Sequence, residues 1–327
     1  MSTAAPAPSS FAPFLIEPRF VGRVWGFTDL RPWYDRDSAE EPIGEVWLTG
    51  DECRIASGAH AGRALGQLFT EAHDALLGTS AHEGSPLLVK MIFAREKLSV
   101  QVHPDDRMAQ KYGQPRGKTE CWYAITAEPG AEVAVGLRPG VTMEQIRDGI
   151  HAGTLEQSLH LLPIAKDDMV FVDAGTVHAI WPGSILLETQ QNSDITYRMY
   201  DYGRPRELHI EKSLEATRLE TRAGKVPVRQ LEDRAVLVDE DYFCVERIHL
   251  SNARDSASLP GGNEPQPGLS YLFAAAGTAR ISGTGFDAIV LPQRGIAAVP
   301  ASSPKFTVED LGGLDLIRIS PRWPERL

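Results

Sequence analysis

Two β-sandwich or jelly-roll units, the first carrying a small helical insertion, are the architecture predicted for this mainly β chain of 327 residues. Three observations predict it. The 29 glycines and 23 prolines are spread along the chain and punctuate many short apolar runs, the pattern of strands separated by turns. The runs form two groups, before and after about residue 220, with turn signals every 8–12 residues. The helical periodicities all lie before residue 220. The length suits two domains of roughly 100–200 residues each, large enough to bury a core without disulfides or a structural metal.

In chain order, the Ala/Pro/Ser-rich start lacks the basic and apolar segments of a secretion signal, and residues 1–17 are expected to be a flexible terminus. Ala64–Leu77 sets Leu65, Leu68, Phe69, Ala72 and Leu76 at helical spacing. From Pro86 the run Leu-Leu-Val-Lys-Met-Ile-Phe-Ala, the charged turn Arg95-Glu-Lys97 and Leu98–His103 read as an antiparallel hairpin. Strands are expected at Glu120–Ile125, Glu132–Leu137, Met169–Val172, Val177–Trp181 and Ile185–Gln190. Between them, Thr142/Gln145 and Thr154/Gln157 each match a capping box. With Ile146, Ile150, Leu155, Leu159 and Leu162 behind them, a helical pair is expected over about 141–163. Leu208–Leu219 reads as a further helix and 220–233, with Gly224 and Pro227, as a linker. The second group of strands is expected at Ala235–Val238, Cys244–Leu250, Leu269–Ala275, Thr278–Ser282, Ala288–Leu291, Ile296–Val299, Phe306–Val308 and Leu314–Ile319.

Composition limits the function. Lys plus Arg number 33 against 44 Asp plus Glu, a net charge of −11, which argues against nucleic acid as a partner because that binding rests on clustered cations facing phosphates. No stretch approaches the ~20 apolar residues of a membrane-spanning helix, so no membrane partner is expected. The three cysteines, Cys53, Cys121 and Cys244, have no paired spacing, which fits reduced thiols and a cytoplasmic location.

Four segments carry chemistry. Alternation along Leu98–His103 puts Leu98, Val100 and Val102 on one face and Ser99, Gln101 and His103 on the other. This is either a wet sheet face or a set converging on one point. In Gly117-Lys-Thr-Glu-Cys-Trp-Tyr, Lys118, Glu120 and Trp122 share a face. His178 opens a strand after the turn Ala174-Gly175; alone it equally fits a core histidine. Together Gln101, His103, Glu120 and His178 form a nitrogen/oxygen donor set without thiolate, which suits a borderline cation such as Zn²⁺. The fourth segment, Leu187-Glu-Thr-Gln-Gln-Asn-Ser-Asp-Ile-Thr-Tyr-Arg-Met-Tyr-Asp, places Asp194, Thr196, Arg198 and Tyr200 on one face. Its bland alternative is a surface network of Arg198 with Asp194 or Asp201. Ile43-Gly-Glu-Val-Trp-Leu reads as a packing strand anchored by Trp47.

In that order Ser99-Val-Gln-Val-His-Pro-Asp-Asp, Gly117-Lys-Thr-Glu-Cys-Trp-Tyr, Ala174-Gly-Thr-Val-His-Ala-Ile and Glu188-Thr-Gln-Gln-Asn-Ser-Asp-Ile-Thr-Tyr-Arg-Met-Tyr-Asp resemble the signature segments of type I mannose-6-phosphate isomerases, in their short bacterial form. The resemblance runs from about Pro18 to Leu219. It implies a zinc-dependent cupin, with a catalytic jelly-roll over 18–219, a linker over 220–233 and a degenerate second jelly-roll over 234–327. It implies one Zn²⁺ per chain on Gln101, His103, Glu120 and His178, a catalytic Arg198, and Lys118 facing the substrate. More loosely it implies Lys90, Ser99 and Asp194. The implied reaction interconverts mannose 6-phosphate and fructose 6-phosphate through a cis-enediol(ate). For the base, a metal-bound hydroxide, Asp194, Glu188 and Lys118 all qualify by type, Glu188 also counting among the substrate-binding residues. The sole expected partner is a small sugar phosphate, and the protein is expected to be a monomer or weak homodimer. One departure stands out: Asp173 occupies a position before the histidine turn where the family usually has proline, and Asp also supports turns. The second unit, with His249 as its only histidine and none after the Gly295 turn, is expected to be catalytically silent. A non-catalytic sugar-phosphate-binding regulator and an Fe(II) cupin dioxygenase are the competing readings, the latter because two His and a carboxylate also describe a facial triad.

Overall fold

The computed structural model describes residues 11–78, 84–250, 256–257 and 268–323. It is mainly β, and its chain divides into two units that interleave in sequence: Phe20–Trp47 with Leu87–Pro227, and Met1–Arg19 with Leu48–Pro86 and Val228–Leu327. The boundaries expected from sequence are contiguous. Here Leu48–Pro86, including the Leu65–Leu77 helix, groups with the C-terminal strands instead.

The first unit is a two-sheet jelly-roll. Its seven-stranded sheet runs in the order Gly224–Lys225, Met169–Val172, Glu120–Ala127, Ser184–Gln191, Leu87–Phe93, Ile43–Trp47, Arg19–Phe27. The five-stranded sheet runs Tyr197–Tyr200, Val100–Val102, His178–Ile180, Glu132–Leu137, Leu159–Pro163. The period of two decides what each face does. Ile92, Trp122, Ala124, Val170, Val172 and Leu186 of the larger sheet pack with Val133, Val135 and Ile180 of the smaller in one core. The opposite face of the smaller sheet, with Val100, Val102, Ala134 and Ala179, is covered by Ile146, Ile150, Leu155, Leu214 and Ala216 from the helical segments.

Those segments are the helix Met143–Ala152, a 3₁₀ turn Leu155–Ser158 and the helix Ile210–Ala216. The Thr142 capping box forms in full: Gln145 N–H donates to Thr142 Oγ1 and Thr142 N–H to Gln145 Oε1. The expected second box does not form. The Thr154 N–H closes the preceding helix on Gly149 O at 2.8 Å, and only a 3₁₀ turn follows, with no side-chain cap. The expected helical pair is therefore one helix and one 3₁₀ turn leading into the strand Leu159–Pro163.

Two further expectations are corrected. Leu87–Phe93 and Val100–Val102 are not a hairpin; they lie in different sheets, because the connection crosses from one layer to the other. The chain is not yet in a strand at Leu98, which therefore joins the core between the sheets while Val100 and Val102 lie under the helices. The expected flexible terminus also fails over Phe14–Ile16, a strand paired with Ile296–Val299, with Phe14 and Ile16 buried; residues 1–10 lie outside the described residues.

The second unit is built on a nine-stranded sheet around the long strands Ser270–Gly283 and Phe306–Pro321. Each of these joins two strands expected as separate. Its helix, Leu65–Leu77, turns out of helical geometry at Ala72. That shift in phase lets adjacent Leu76 and Leu77 both be buried. Within 220–233, expected as a linker, Gly224–Lys225 pairs with Phe171 and Val170, and Arg229–Gln230 with Val236 and Ala235.

Gly117, just before Lys118, packs directly on the chain at Pro104–Asp106; a Cβ there would stand 2.5 Å from Pro104 O and from Asp105 C. Overpacking of this kind costs about 1–3 kcal/mol. Gly117→Ala is therefore expected to lower stability by that amount in urea unfolding of the metal-free protein, and an unchanged midpoint contradicts the packing.

Candidate active site and metal centre

Strand register brings the site together. In the five-stranded sheet Gln101 lies opposite His178 on one side and Arg198 on the other, and residues so paired project from the same face. In the seven-stranded sheet Glu188 lies between Lys90 and Trp122, and Lys90 lies opposite Trp47. Lys118 and Glu120 precede Trp122 at intervals of two. The turn before His178 is held by Gly175, whose N–H donates to His103 O at 2.8 Å with φ at 91°. A Cβ at 175 would meet Arg218 at 2.8 Å, so this turn takes glycine.

His103, Glu120 and His178 are each 1% exposed, and one donor atom from each lies within 4.8 Å of the others. Glu120 Oε1 is 3.4 Å from His178 Nε2, and Glu120 Oε2 is 3.6 Å from His103 Nε2. Tetrahedral zinc ligands at ~2.0–2.1 Å stand about 3.3–3.5 Å from one another, so these separations fit. The tautomers fit too. His103 Nδ1–H donates to Ile195 O at 2.8 Å and His178 Nδ1–H to Thr176 O at 2.9 Å, which leaves both Nε2 lone pairs facing inward, as metal-ligating imidazoles require. Burial first, and then the Lys118 charge, push His178 down to about 4 and His103 well below its ordinary value. Both rings are held neutral, the state that ligates. The three form a buried metal-binding group. The Gln101 amide reaches the same point, its Nε2 donating to His178 Nε2 at 3.2 Å; turned end for end, it presents Oε1 there.

Gln101 and Lys118, which contact this group, line a cavity of about 460 Å³. Of the residues expected in the site, Lys90, Ser99, Gln101, Lys118, Glu188, Asp194 and Arg198 line it. Tyr200 does not line it: the register shifts between Arg198 and Tyr200, and Tyr200 packs with the helix-covered cluster instead. Lys118 donates to His103 Nε2 at 2.9 Å and to Glu120 Oε2, and lies 3.4 Å from Glu188 Oε1. Lys90 is 3.2 Å from Glu188 and 3.8 Å from Glu45. Burial alone would lower Lys90, but the two carboxylates raise it above its ordinary value. Burial raises Glu188, and Glu120 adds to this.

Arg23, Glu45 and Arg206 also line the cavity, and none of them is among the site residues expected from sequence. Glu45 accepts from Arg23 Nε at 3.0 Å, Arg23 Nη2 at 2.9 Å and Trp47 Nε1 at 2.7 Å. Burial would raise this carboxyl, but Lys90, Arg23 and Trp47 hold it at about 2. Ile43–Trp47 is therefore more than a packing strand: its polar residue is a buried carboxylate on the cavity wall. The Gly-Glu-x-Trp pattern is the one signal that could have pointed to it.

The depressed His178 pKa has a sign that can be tested. A folded value of about 4, against ~6.5 when unfolded, means that the metal-free protein loses stability as pH falls through that window, by about 3 kcal/mol in full. The imidazole nitrogen shifts of His178 in metal-free protein are expected to titrate near 4; a midpoint near 6.5 contradicts the burial argument.

Comparison with known proteins identifies the family. Residues 16–139 match the family model for the catalytic domain of phosphomannose isomerase type I. The chain is 35% identical over 254 residues to a mannose-6-phosphate isomerase of Streptococcus mutans, covering 74% of this chain and 80% of that protein. It is 36% identical over 262 residues to mannose-6-phosphate isomerase ManA of Bacillus subtilis, covering 76% and 81%. The crystal structure of the mannose 6-phosphate isomerase from Bacillus subtilis superposes with a TM-score of 0.83 at 29% identity, covering 94% of this chain and 99% of that one. The chain belongs to the type I phosphomannose isomerase family.

Proposed function

We propose that this enzyme interconverts mannose 6-phosphate and fructose 6-phosphate by moving a proton between C1 and C2 through a cis-enediol(ate), with Zn²⁺ held by Gln101, His103, Glu120 and His178. The observation that carries the reading is the buried His103–Glu120–His178 group, in contact with Gln101 and Lys118 of a charged cavity wall. Neutral imidazoles, one carboxylate and one amide, with no thiolate, suit zinc with a position left for substrate.

Bound there, zinc would supply Lewis-acid stabilisation of charge on the substrate oxygens. The protein's own groups do the rest. Arg198 lines the cavity, and its buried Nε has no hydrogen-bond partner among the described residues. Its Nη1 donates to Glu207 O at 3.0 Å and its backbone N–H to His209 Nδ1 at 3.2 Å. That fixes a permanent cation with an unused donor where an enediolate oxygen develops charge. We assign the proton transfer to Lys118 and Glu188. They lie 3.4 Å apart, and the raised Glu188 pKa brings its proton affinity closer to that of an amine. Ser99, whose hydroxyl lies within hydrogen-bond distance of the Gln101 amide, faces the sugar from the cavity wall. Asp194, 55% exposed and 3.9 Å from Arg23, orients a sugar hydroxyl at the mouth.

Three measurements test this. In a coupled assay from mannose 6-phosphate to fructose 6-phosphate, chelation is expected to abolish turnover, and His178→Ala to lose the metal. Full activity after verified metal removal contradicts the reading. Arg198→Ala is expected to retain zinc while kcat falls by about 10²–10³-fold, the usual loss of one charge-stabilising donor; near-normal turnover would falsify that role. Run in D₂O, the isomerisation is expected to place deuterium on the transferred position. Full retention of protium points instead to direct hydride transfer.

A further inference from the structure

The strand Tyr197–Tyr200 lies at the edge of the five-stranded sheet, next to Val100–Val102, and its register shifts between Arg198 and Tyr200. The backbone groups on the outer side of an edge strand have no neighbouring strand to bond. At Arg198 a single residue supplies those bonds. Arg198 N–H donates to His209 Nδ1 at 3.2 Å, and His209 N–H donates to Arg198 O at 2.8 Å. The same segment makes a third bond, Arg198 Nη1 donating to Glu207 O at 3.0 Å. Glu207–His209 thus takes the place of an outer strand and holds both the backbone and the guanidinium of Arg198.

His209 occupies the N-cap of the helix Ile210–Ala216, where a side chain ordinarily turns forward to accept from a free amide of the first turn. Its ring makes no such bond. The His209 carbonyl opens the helix, accepting from Ser213 N–H at 2.8 Å and Ser213 Oγ at 2.7 Å. The imidazole turns back to the strand instead, its centroid 6.2 Å from that of Tyr197. The helix does not use this side chain; the strand does. Accepting from Arg198 N–H requires Nδ1 to carry no proton. Burial first, and then Arg198 and Lys212, set the ring below its ordinary pKa, while Glu207, whose Oε2 lies 3.9 Å from Nε2, opposes them. The ring is therefore neutral at neutral pH, with its one proton on Nε2.

We propose that His209 is a positioning residue for Arg198, its Nδ1 lone pair and backbone N–H fixing the point from which the arginine enters the cavity. His209 does not line that cavity, so it acts through the strand and not on substrate. Arg198 Nε, buried and without a partner among the described residues, is aimed only as well as the backbone beneath it is held. A displacement of about 1 Å at such a group can cost about 10²-fold in rate. The assignment rests on the isomerase reading for what Arg198 does, although the brace itself is measurable without turnover.

The test uses the zinc-loaded full chain. His209→Asn places an amide oxygen where Nδ1 stood; His209→Gln, one methylene longer, and His209→Ala do not. Amide hydrogen exchange at Arg198 reads the brace, and kinetics with mannose 6-phosphate read its consequence. In His209→Ala and His209→Gln, exchange at Arg198 is expected to quicken about tenfold, the loss of one hydrogen bond. Their kcat is expected to fall about tenfold or more, with zinc retained and KM within about threefold, the split that marks an interaction made in the transition state. His209→Asn is expected to keep most of the protection and to recover most of kcat. Unchanged exchange in His209→Ala overturns the assignment, as does rapid exchange with wild-type kcat. A protected variant with the kcat of His209→Ala, or a loss carried by KM or by zinc content, also overturns it. The imidazole nitrogen spectrum of wild type covers the case of variants that do not fold: Nδ1 without a proton supports the proposal, and an Nδ1–H tautomer overturns it. Exchange and tautomer as expected, in a wild type that does not turn over, would sink the isomerase reading alone. Wild-type turnover with kcat unaltered in His209→Ala would sink the positioning assignment alone.

Discussion

Alternation of charge among largely buried side chains is the constraint on which this site depends. Arg23, Glu45, Lys90, Glu188, Lys118 and Glu120 form a chain of opposite signs in contact, from the mouth of the cavity to the metal-binding group. Each of these ions would cost several kcal/mol to bury alone. Set in sequence, each is flanked by counter-charges, and removing one strands its neighbours. The histidines follow a different rule. Shut away from water and beside the Lys118 charge, they stay neutral and keep their lone pairs free.

The sheets make this arrangement possible because register, and not sequence proximity, decides who meets whom. Gln101 sits between His178 and Arg198, residues far along the chain, because three antiparallel strands align them. The same strands turn Val100 and Val102 to the other side, where the helices cover them. A single strand thus carries a cavity-lining residue on one face and core on the other, which couples stability of the first unit to the geometry of its site. A one-residue slip would exchange the two faces.

Much of this is legible in the order of the residues alone. Alternation around Gln101 and His103, the glycine turn before His178, and the crowding of polar residues after Leu187 mark unusual strands, and the family resemblance orders them into one site. Legibility ends where partner choice begins. Leu87–Phe93 and Val100–Val102 read as a hairpin because local pattern records strands and turns but not the layer each joins. Glu45 reads as a bystander beside Trp47, since its partners Arg23 and Lys90 reach it only across strands. Arg206 escapes notice for a similar reason: it is one of three arginines in a short polar segment, and only its clasp by buried Asp201 distinguishes it. The grouping of Leu48–Pro86 with the C-terminal strands leaves no compositional mark at either boundary.

The central claim is that side chains from both sheets of the first unit share one divalent ion. X-ray absorption at the zinc edge of the loaded protein addresses it most directly. The account predicts a shell of nitrogen and oxygen only, at about 2.0–2.2 Å, with multiple scattering from two imidazoles. A sulfur ligand, or scattering from fewer than two imidazoles, would contradict it.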